Sequence, residues 1–277
     1  GIARRDLGQL KLALSDFARA VKLDPDYVEA YSNRGTVYQA LGNYDAAIDD
    51  YSLALRLDDE SAGSLNNRGL CWMRKGEFGR AFDDLRRAVE LRPDVTAHWV
   101  NRGTIRRETK DVAGAVADAK RALQIDPEAG RAWKLLGLAH RDQGKLAEAI
   151  SDLTRAVELE GEDAETWESR GVARGMAGDP GGAIADLTRS IEIDPKRPSA
   201  WTARSAGRQR VSDVRGAIDD LTVALTLTPN NPVLWSNRGA TKQQGNDIRG
   251  AASDYRKAIE LDAHFPAAHS GLASVLM

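Results

Sequence analysis

The sequence predicts an all-α solenoid in which antiparallel helix pairs recur every 34 residues along a chain of 277. Three columns of residues carry this prediction, because each one repeats at that period. The first is aromatic apart from one leucine: Tyr31, Leu65, Trp99, Trp133, Trp167, Trp201 and Trp235. The second is Gly35, Gly69, Gly103, Gly137, Gly171, Ser205 and Gly239, and the third is Ala13, Ala47, Ala81, Ala115, Ala149, Ala183, Ala217 and Ala251. A fixed period indicates units that bury their apolar faces only against their neighbours.

Counting in both directions from residue 28 divides the chain into one continuous array. The first repeat, 1–27, is truncated and should hold the end of a first helix and a whole second helix. The last, 266–277, should be the first helix of a further or capping repeat. The whole repeats are 28–61, 62–95, 96–129, 130–163, 164–197, 198–231 and 232–265. Because both ends stop within the pattern, we expect a fragment of a longer array or protein that self-associates end to end.

Each whole repeat predicts two helices joined by a short turn. Tyr31, Gly35 and Tyr38 follow a helical spacing, and Ala47 and Tyr51 do so again after an interruption. The interruption combines a residue suited to a helix C-terminus with one that often caps the next helix: Gly42-Asn43, Gly76-Glu77, Lys110-Asp111, Gly144-Lys145, Gly178-Asp179, Ser212-Asp213 and Asn246-Asp247. The second helix is expected to end before a proline in five repeats: Pro25, Pro93, Pro127, Pro195 and Pro229.

Composition excludes several classes of protein. Apolar residues make up 42% of the chain, but no apolar run approaches the roughly 18 residues that a membrane-spanning helix needs. A net charge of −2 gives no indication of nucleic-acid binding. The single cysteine, Cys71, rules out an internal disulfide and fits a reducing compartment, so a cytoplasmic location is expected. Cys71 itself is interpreted as a small buried hydrophobic residue.

Candidate catalytic and metal-binding groups are scattered. The histidines are His98, His140, His264 and His269, and none of their spacings matches the i, i+4 pair of a helical zinc site. The glycine-rich run 178–182 lacks the lysine of a phosphate-binding loop. Adjacent acidic pairs such as Asp83-Asp84 recur with the period, which assigns them to the scaffold. We therefore expect a protein without enzymatic activity, cofactor or metal.

The columns together resemble the tetratricopeptide repeat along the whole chain. The resemblance implies helix pairs stacked as a right-handed superhelix, whose first helices line a concave groove for an extended peptide or a partner helix. Some residues depart from the family pattern. Basic residues replace an aromatic at Arg106, Arg174, Arg208 and Lys242, and Pro180 replaces the aromatic that opens a second helix. We expect the repeats that contain them to be less tightly packed than the first two whole repeats.

Asparagine follows the aromatic column by two residues in four repeats: Asn33, Asn67, Asn101 and Asn237. The resemblance implies that this amide faces the groove and hydrogen-bonds a peptide backbone, which suits a group with one acceptor and two donor hydrogens. The alternative is that the amide bonds within its own repeat. Both interpretations are open at this point.

Two charged columns are expected to form a structural ladder of ion pairs. Arginine follows the asparagine position at Arg34, Arg68, Arg102, Arg170, Arg204 and Arg238. Aspartate runs through the second helices at Asp16, Asp50, Asp84, Asp118, Asp152, Asp186, Asp220 and Asp254. An antiparallel turn can bring Arg34 to Asp50, and stacking can bring it to Asp16. Phosphate binding by the arginines is the less favoured alternative.

Charge is unevenly distributed along the array. Residues 62–145 contain 17 basic and 11 acidic side chains, whereas residues 146–200 contain 6 basic and 12 acidic ones. Five basic residues fall on first-helix positions that similar proteins turn toward the groove: Arg74, Arg107, Arg131, Lys134 and Arg141. Our hypothesis is that they receive an acidic or carboxylate-terminated segment of a partner. A solvated face is the alternative.

The sequence thus favours a scaffold that binds a peptide or helix of another protein. One alternative is a substrate-docking or regulatory arm of an enzyme whose catalytic domain lies outside this chain. RNA binding by a helical repeat is less favoured, because the pI is near 6.2 and one segment is acidic.

Overall fold

The computed structural model describes residues 1–276, which contain seventeen α-helices and no strand. After a short α1 (Ile2–Asp6), second helices of 14 residues alternate with first helices of 13, except that the last first helix has 11 described residues. They are α2 (Leu10–Leu23), α3 (Val28–Ala40), α4 (Tyr44–Leu57), α5 (Ala62–Arg74), α6 (Phe78–Leu91), α7 (Thr96–Glu108), α8 (Val112–Ile125), α9 (Gly130–Asp142), α10 (Leu146–Leu159), α11 (Ala164–Met176), α12 (Pro180–Ile193), α13 (Pro198–Arg210), α14 (Val214–Leu227), α15 (Pro232–Gln244), α16 (Ile248–Leu261) and α17 (Pro266–Leu276). The predicted all-α class, built from stacked helix pairs, is confirmed.

The turn inside each repeat contains one residue in the left-handed region, and a side chain caps the second helix in every repeat except those of α2, α6 and α10. Gly42 has φ +75°, and the next backbone N–H, of Asn43, donates to the carbonyl of Tyr38 at 2.9 Å. The Asn43 side chain then accepts from the N–H of Ala46 and starts α4. Asp111, Asp179, Asp213 and Asp247 cap α8, α12, α14 and α16 in the same way.

The tryptophans of the aromatic column stabilise the loops that connect one repeat to the next. Each of the five tryptophans in this column, beginning with Trp99, donates its Nε1–H to a backbone carbonyl six residues earlier. That carbonyl lies in the loop that leads into the tryptophan's own helix. The distances are 2.9 Å for Trp99 to Pro93, 2.9 Å for Trp133 to Pro127, 2.7 Å for Trp167 to Gly161, 2.9 Å for Trp201 to Pro195 and 2.8 Å for Trp235 to Pro229. An indole thus packs and satisfies a loop carbonyl at once.

The helices form two compact halves, Gly1–Ala139 and the residues from His140 onward. In the N-terminal half, first helices such as α5 pack on the second helix of their own repeat and on that of the preceding one. The glycine column permits this approach, because a Cβ added at Gly69 would lie 2.8 Å from Cγ of Leu85. Tyr51, Leu85 and Ile105 are completely buried there.

The C-terminal half repeats this packing around Leu153, Leu187 and Leu221, each buried beside a buried column alanine. A Cβ at Gly171 would lie 2.8 Å from Cγ of Leu187, so the same close crossing occurs in this half. None of the helices between residues 1 and 276 is long and apolar enough to cross a membrane.

Candidate functional site

Six arginines of the first helices each bind the aspartate sixteen residues further along the chain. Nε and Nη2 of each guanidinium donate to the two carboxylate oxygens at distances between 2.6 and 3.0 Å. The pairs are Arg34–Asp50, Arg68–Asp84, Arg102–Asp118, Arg170–Asp186, Arg204–Asp220 and Arg238–Asp254. All six aspartates are buried, and this two-pronged geometry is the strong form of a charged hydrogen bond. Asp16 binds Arg4 and the amino group of Gly1, and the alternative pairing of Arg34 with Asp16 is not found.

The same arginines also contact two other groups. Five stack over the aromatic residue three positions earlier, with 4.7 Å between the Arg102 guanidinium carbon and the Trp99 ring centroid. Four donate from Nη1 to a hydroxyl of the preceding repeat: Arg68 to Ser52, Arg170 to Thr154, Arg204 to Thr188 and Arg238 to Thr222, at 3.0 to 3.3 Å. Each of these four arginines therefore connects two neighbouring repeats.

The hydroxyl position is not occupied by serine or threonine in every repeat. Ala18 stands there in the repeat before Arg34, and Arg86 stands there in the repeat before Arg102. Arg86 binds Glu90 at 2.6 Å on its own helix.

The basic residues that depart from the family pattern join the same aspartates. Arg106, Arg174 and Arg208 place Nη1 at 3.0 to 3.1 Å from the aspartate twelve residues later, and Lys242 places Nζ at 2.8 Å from Asp254. Asp118, Asp186, Asp220 and Asp254 thus each have two basic partners. The expected looser packing of these repeats stays a prediction, but the positions are filled by ion pairs.

The repeat 130–163 is arranged differently. Leu136 stands in the arginine column, and Nδ1 of His140 lies 2.6 Å from Oδ2 of Asp152. The twelve-residue spacing between these two residues is that of Arg106 and Asp118. The constant twelve-residue spacing to the aspartate column is the sequence pattern from which these second basic partners could have been found.

The four asparagines occupy four different environments. Asn33 is half-buried, donates to the carbonyl of Glu29 at 2.8 Å and accepts from Arg5 at 2.8 Å. Asn67 is half-buried, whereas Asn101 is only 4% exposed and donates to Oδ1 of Asn66 at 2.8 Å. Asn237 is exposed and lies in the C-terminal half. The amide of Asn101 is therefore used inside the fold.

A polar cluster that the sequence did not indicate is centred on the buried Tyr51 hydroxyl. This hydroxyl donates to Oε1 of Gln39 at 3.1 Å and lies 3.1 Å from Oγ1 of Thr36. Burial raises the pKa of Tyr51 to about 12, while hydrogen bonds from Thr36 and Asn67 act in the opposite direction. The phenol therefore stays protonated and neutral, and it acts as a fixed hydrogen-bonding group.

The predicted basic residues divide into exposed and engaged ones. Arg74 and Arg131 are exposed and, among residues 1–276, make no ion pair. Arg107 lies 3.1 Å from Glu108, and Arg141, in the C-terminal half, lies 3.4 Å from Asp142. Lys134 is half-buried and has contacts of its own. The exposed positive charge of the N-terminal half in this set thus comes from Arg74 and Arg131.

Asn67 and Arg74 lie seven residues apart on α5 and therefore on one side of that helix. We call Asn33, Asn67, Arg74 and Arg131 the first-helix face, since all four belong to first helices of the N-terminal half. Asn33 and Asn67 share one position in their repeats, and Arg131 stands four residues before that position in its own repeat, which is the same side of a helix. The first-helix face combines half-buried amides with exposed guanidinium groups. Such a surface can hydrogen-bond a peptide backbone and attract carboxylates.

Other chemistry finds little support in the described part of the chain. No three histidine, cysteine, aspartate or glutamate side chains among residues 1–276 are placed to hold a metal ion. Burial raises the pKa of the Cys71 thiol to about 11, so little thiolate is present near neutral pH.

Comparison with known proteins relates the chain to one repeat family and its fold. Profiles of the tetratricopeptide repeat match residues 28–61 and, in three overlapping stretches, 73–130, 100–156 and 134–198, and a further profile of this repeat matches residues 1–42. No curated protein sequence matches the chain.

Several solved structures have a similar fold at low sequence identity. A chain of the APC/C hetero-tetramer Cut9–Hcn1 aligns with a TM-score of 0.77 and 14% identity over 95% of this chain and 52% of its own, so this chain spans about half of its length. Pseudomonas aeruginosa pilF aligns with a TM-score of 0.68 and 18% identity over 78% and 98%. YrrB, described as a repeat protein with an unusual peptide-binding site, aligns with a TM-score of 0.52 and 21% identity over 68% of this chain and 97% of its own. The chain belongs to the tetratricopeptide repeat family of protein–protein interaction scaffolds.

Proposed function

We propose that the first-helix face of the N-terminal half binds an extended, acidic peptide segment of a partner protein. The observation that carries the proposal is that Arg74 and Arg131 are exposed and make no ion pair among the described residues, and that Arg74 lies on the same side of α5 as the half-buried amide of Asn67. Most other arginines of the first helices are engaged with aspartates or glutamates, so these two retain their charge for a ligand. Arginine suits this role, because its planar fork matches a carboxylate.

The two kinds of side chain serve different parts of the ligand. The amides of Asn33 and Asn67 hydrogen-bond the peptide backbone, which is the same for every sequence. The guanidinium groups select for aspartate, glutamate or a terminal carboxylate. Binding should weaken as salt rises, since Arg74 and Arg131 are exposed and their attraction is screened.

Peptide display tests this proposal directly. Random dodecapeptides are selected on the intact chain, and affinities of the enriched peptides are measured by fluorescence anisotropy. We expect enrichment of aspartate and glutamate. The combined substitution Arg74→Glu and Arg131→Glu should weaken binding about tenfold or more and abolish its salt dependence.

Arg56→Glu is the matched control, since Arg56 is an exposed arginine of the second helix α4 without an ion pair among the described residues. It lowers the net charge by two, as Arg74→Glu and Arg131→Glu each do alone, so it is compared with these two single variants. Selection without acidic enrichment, or an equal loss of affinity in Arg56→Glu, would contradict the proposal.

A further inference from the structure

Two buried amides lie next to Asn67, beneath the first-helix face. Asn101 of α7 and Asn66 of α5 are 4% and 8% exposed. Nδ2 of Asn101 donates to Oδ1 of Asn66 at 2.8 Å, and Nδ2 of Asn66 donates to Oδ1 of Asn67 at 3.1 Å. Hydrogen-bond donation therefore runs in one direction from α7 to α5 and ends at Asn67. We call Asn101, Asn66 and Asn67 the amide relay.

The relay determines which atom of Asn67 faces outward. Because Oδ1 of Asn67 accepts from Asn66, its Nδ2 lies on the other side of the Cβ–Cγ bond and points away from Asn66. The Tyr51 hydroxyl gives its one hydrogen to Gln39, so toward any other neighbour it can only accept. An amide NH2 has two hydrogens, so one remains for a ligand even when a neighbouring hydroxyl accepts the other.

We infer that Asn66 and Asn101 are positioning residues, which hold Asn67 as a hydrogen-bond donor for a main-chain carbonyl of an extended peptide. The orientation of Asn67 follows from the relay alone, whereas the identity of the acceptor rests on the proposed function. Buried polar groups must find partners, so the direction of one amide is coupled to that of the next. Reversing the first member of the relay should therefore reverse the last.

Asn101→Asp performs this reversal with almost no change of shape. At about pH 8 the aspartate is ionised and accepts only, so Asn66 must turn its NH2 group toward it. Oδ1 of Asn66 then faces Asn67, whose own NH2 turns inward and leaves an acceptor outward. The substitution converts Asn67 from a donor into an acceptor for the ligand.

Hydrogen-bond scalar couplings measured by NMR on the free, intact chain test the relay without any ligand. Wild type should show a coupling between Nδ2 of Asn66 and Cγ of Asn67. In Asn101→Asp the coupling should instead join Nδ2 of Asn67 and Cγ of Asn66. An unchanged coupling in the variant, or the reversed one in wild type, overturns the inference.

A double-mutant cycle with a fluorescein-labelled acidic peptide from the display selection tests the consequence for binding. Asn101→Asp should weaken binding about tenfold when Asn67 is present and cause no further loss in Asn67→Ala. Repulsion by the added charge would instead lower affinity equally in both backgrounds, and that result overturns the inference. Asn230→Asp, the same change in an exposed loop, should leave affinity unchanged.

Asn101→Ala covers the case in which the aspartate variant does not fold. It removes the donor without adding charge, and it should abolish the Asn66–Asn67 coupling and weaken peptide binding severalfold. A coupling of wild-type size together with full affinity contradicts the inference. If no acidic peptide binds wild type, the proposed function fails, and the NMR couplings still decide the orientation of Asn67.

Discussion

Lys110 occupies a turn position where the two preceding whole repeats have glycine. Its φ is +70°, close to +75° at Gly42 and +78° at Gly76. A side chain in this region costs about 1–2 kcal/mol, because Cβ crowds the following carbonyl. Lys110 thus keeps the turn geometry of the preceding repeats, and its backbone is locally strained.

Lys110→Gly should therefore stabilise the protein. Relief of the strain raises the free energy of unfolding, and the larger conformational entropy of glycine in the unfolded chain lowers it. The net gain is roughly 0.5–1 kcal/mol. The measurement is the shift of the urea unfolding midpoint. Gly76→Ala is the converse control, since no atom lies within 4 Å of an added Cβ and only the positive φ opposes it. Gly76→Ala should destabilise the protein, and an alanine variant more stable than wild type would refute the argument.

Local sequence predicts the turn but not the environment of a single amide. The triplet Asn-Arg-Gly occurs at Asn33, Asn67 and Asn101, yet the three side chains meet different neighbours. What distinguishes them is the residue in front, for example Asn66 or Val100, and the side chain that the adjacent repeat brings to it. Such a contact joins residues 35 positions apart and depends on packing that a repeat pattern does not specify.

At the scale of the helix pair, each arginine–aspartate pair joins the two helices of a repeat. Removing one partner leaves the other charge partly buried, which costs more than the net contribution of the intact pair. Asp118 has two basic partners, Arg102 and Arg106, whereas Asp84 has only Arg68. The two aspartates should therefore differ in their sensitivity to substitution.

Asp84→Ala should lower the free energy of unfolding by roughly 2 kcal/mol, less than for a fully buried pair because the Arg68 side chain is 23% exposed. Asp118→Ala should cost more, since two cations lose their partner. Urea unfolding followed by circular dichroism measures both. Asp83→Ala, an exposed neighbour on the same helix, is the control. Wild-type stability of Asp84→Ala would exclude a structural role for the ladder.

Many helix boundaries could be predicted because they have a local cause, such as the caps at Asn43 and Asp111. The helices α6 and α10 begin without a side-chain cap, and their starts follow from the glycine turns before them. The second partner of the aspartates was not predicted. Arg106 stands where the two preceding whole repeats have Tyr38 and Trp72, and only its twelve-residue spacing to Asp118 would have predicted its role.

At the scale of the whole molecule, the buried His98 makes stability depend on pH. Its Nδ1 has no partner among the described residues, and burial is the largest cause that lowers its pKa below the ordinary 6.5. The unfolded chain therefore binds a proton more readily than the fold does. The contribution of neutral His98 is complete above pH 6.5 and is lost as the pH falls below that value.

Unfolding midpoints measured at about pH 8 and about pH 5.5 test this dependence. We expect wild type to lose more stability on acidification than His98→Leu, in which leucine matches Leu234 of the same column. His264→Ala removes an exposed histidine and should keep the wild-type pH dependence. Identical pH profiles for wild type and His98→Leu would rule out His98 as the cause.

The contact between an arginine and the hydroxyl of the preceding repeat means that the repeats are not interchangeable parts. Leu136 and Leu272 replace the arginine after the two repeats that carry Lys120 and Arg256 at the hydroxyl position. An arginine there would face a second cation. The exception is Arg102, because the repeat before it carries Arg86 at this position, and the Arg86 guanidinium is bound by Glu90 on its own helix. A repeat moved to a new place in the array must therefore match the residue at the hydroxyl position of the repeat that precedes it. The sequence thus restricts the order in which the repeats can follow one another.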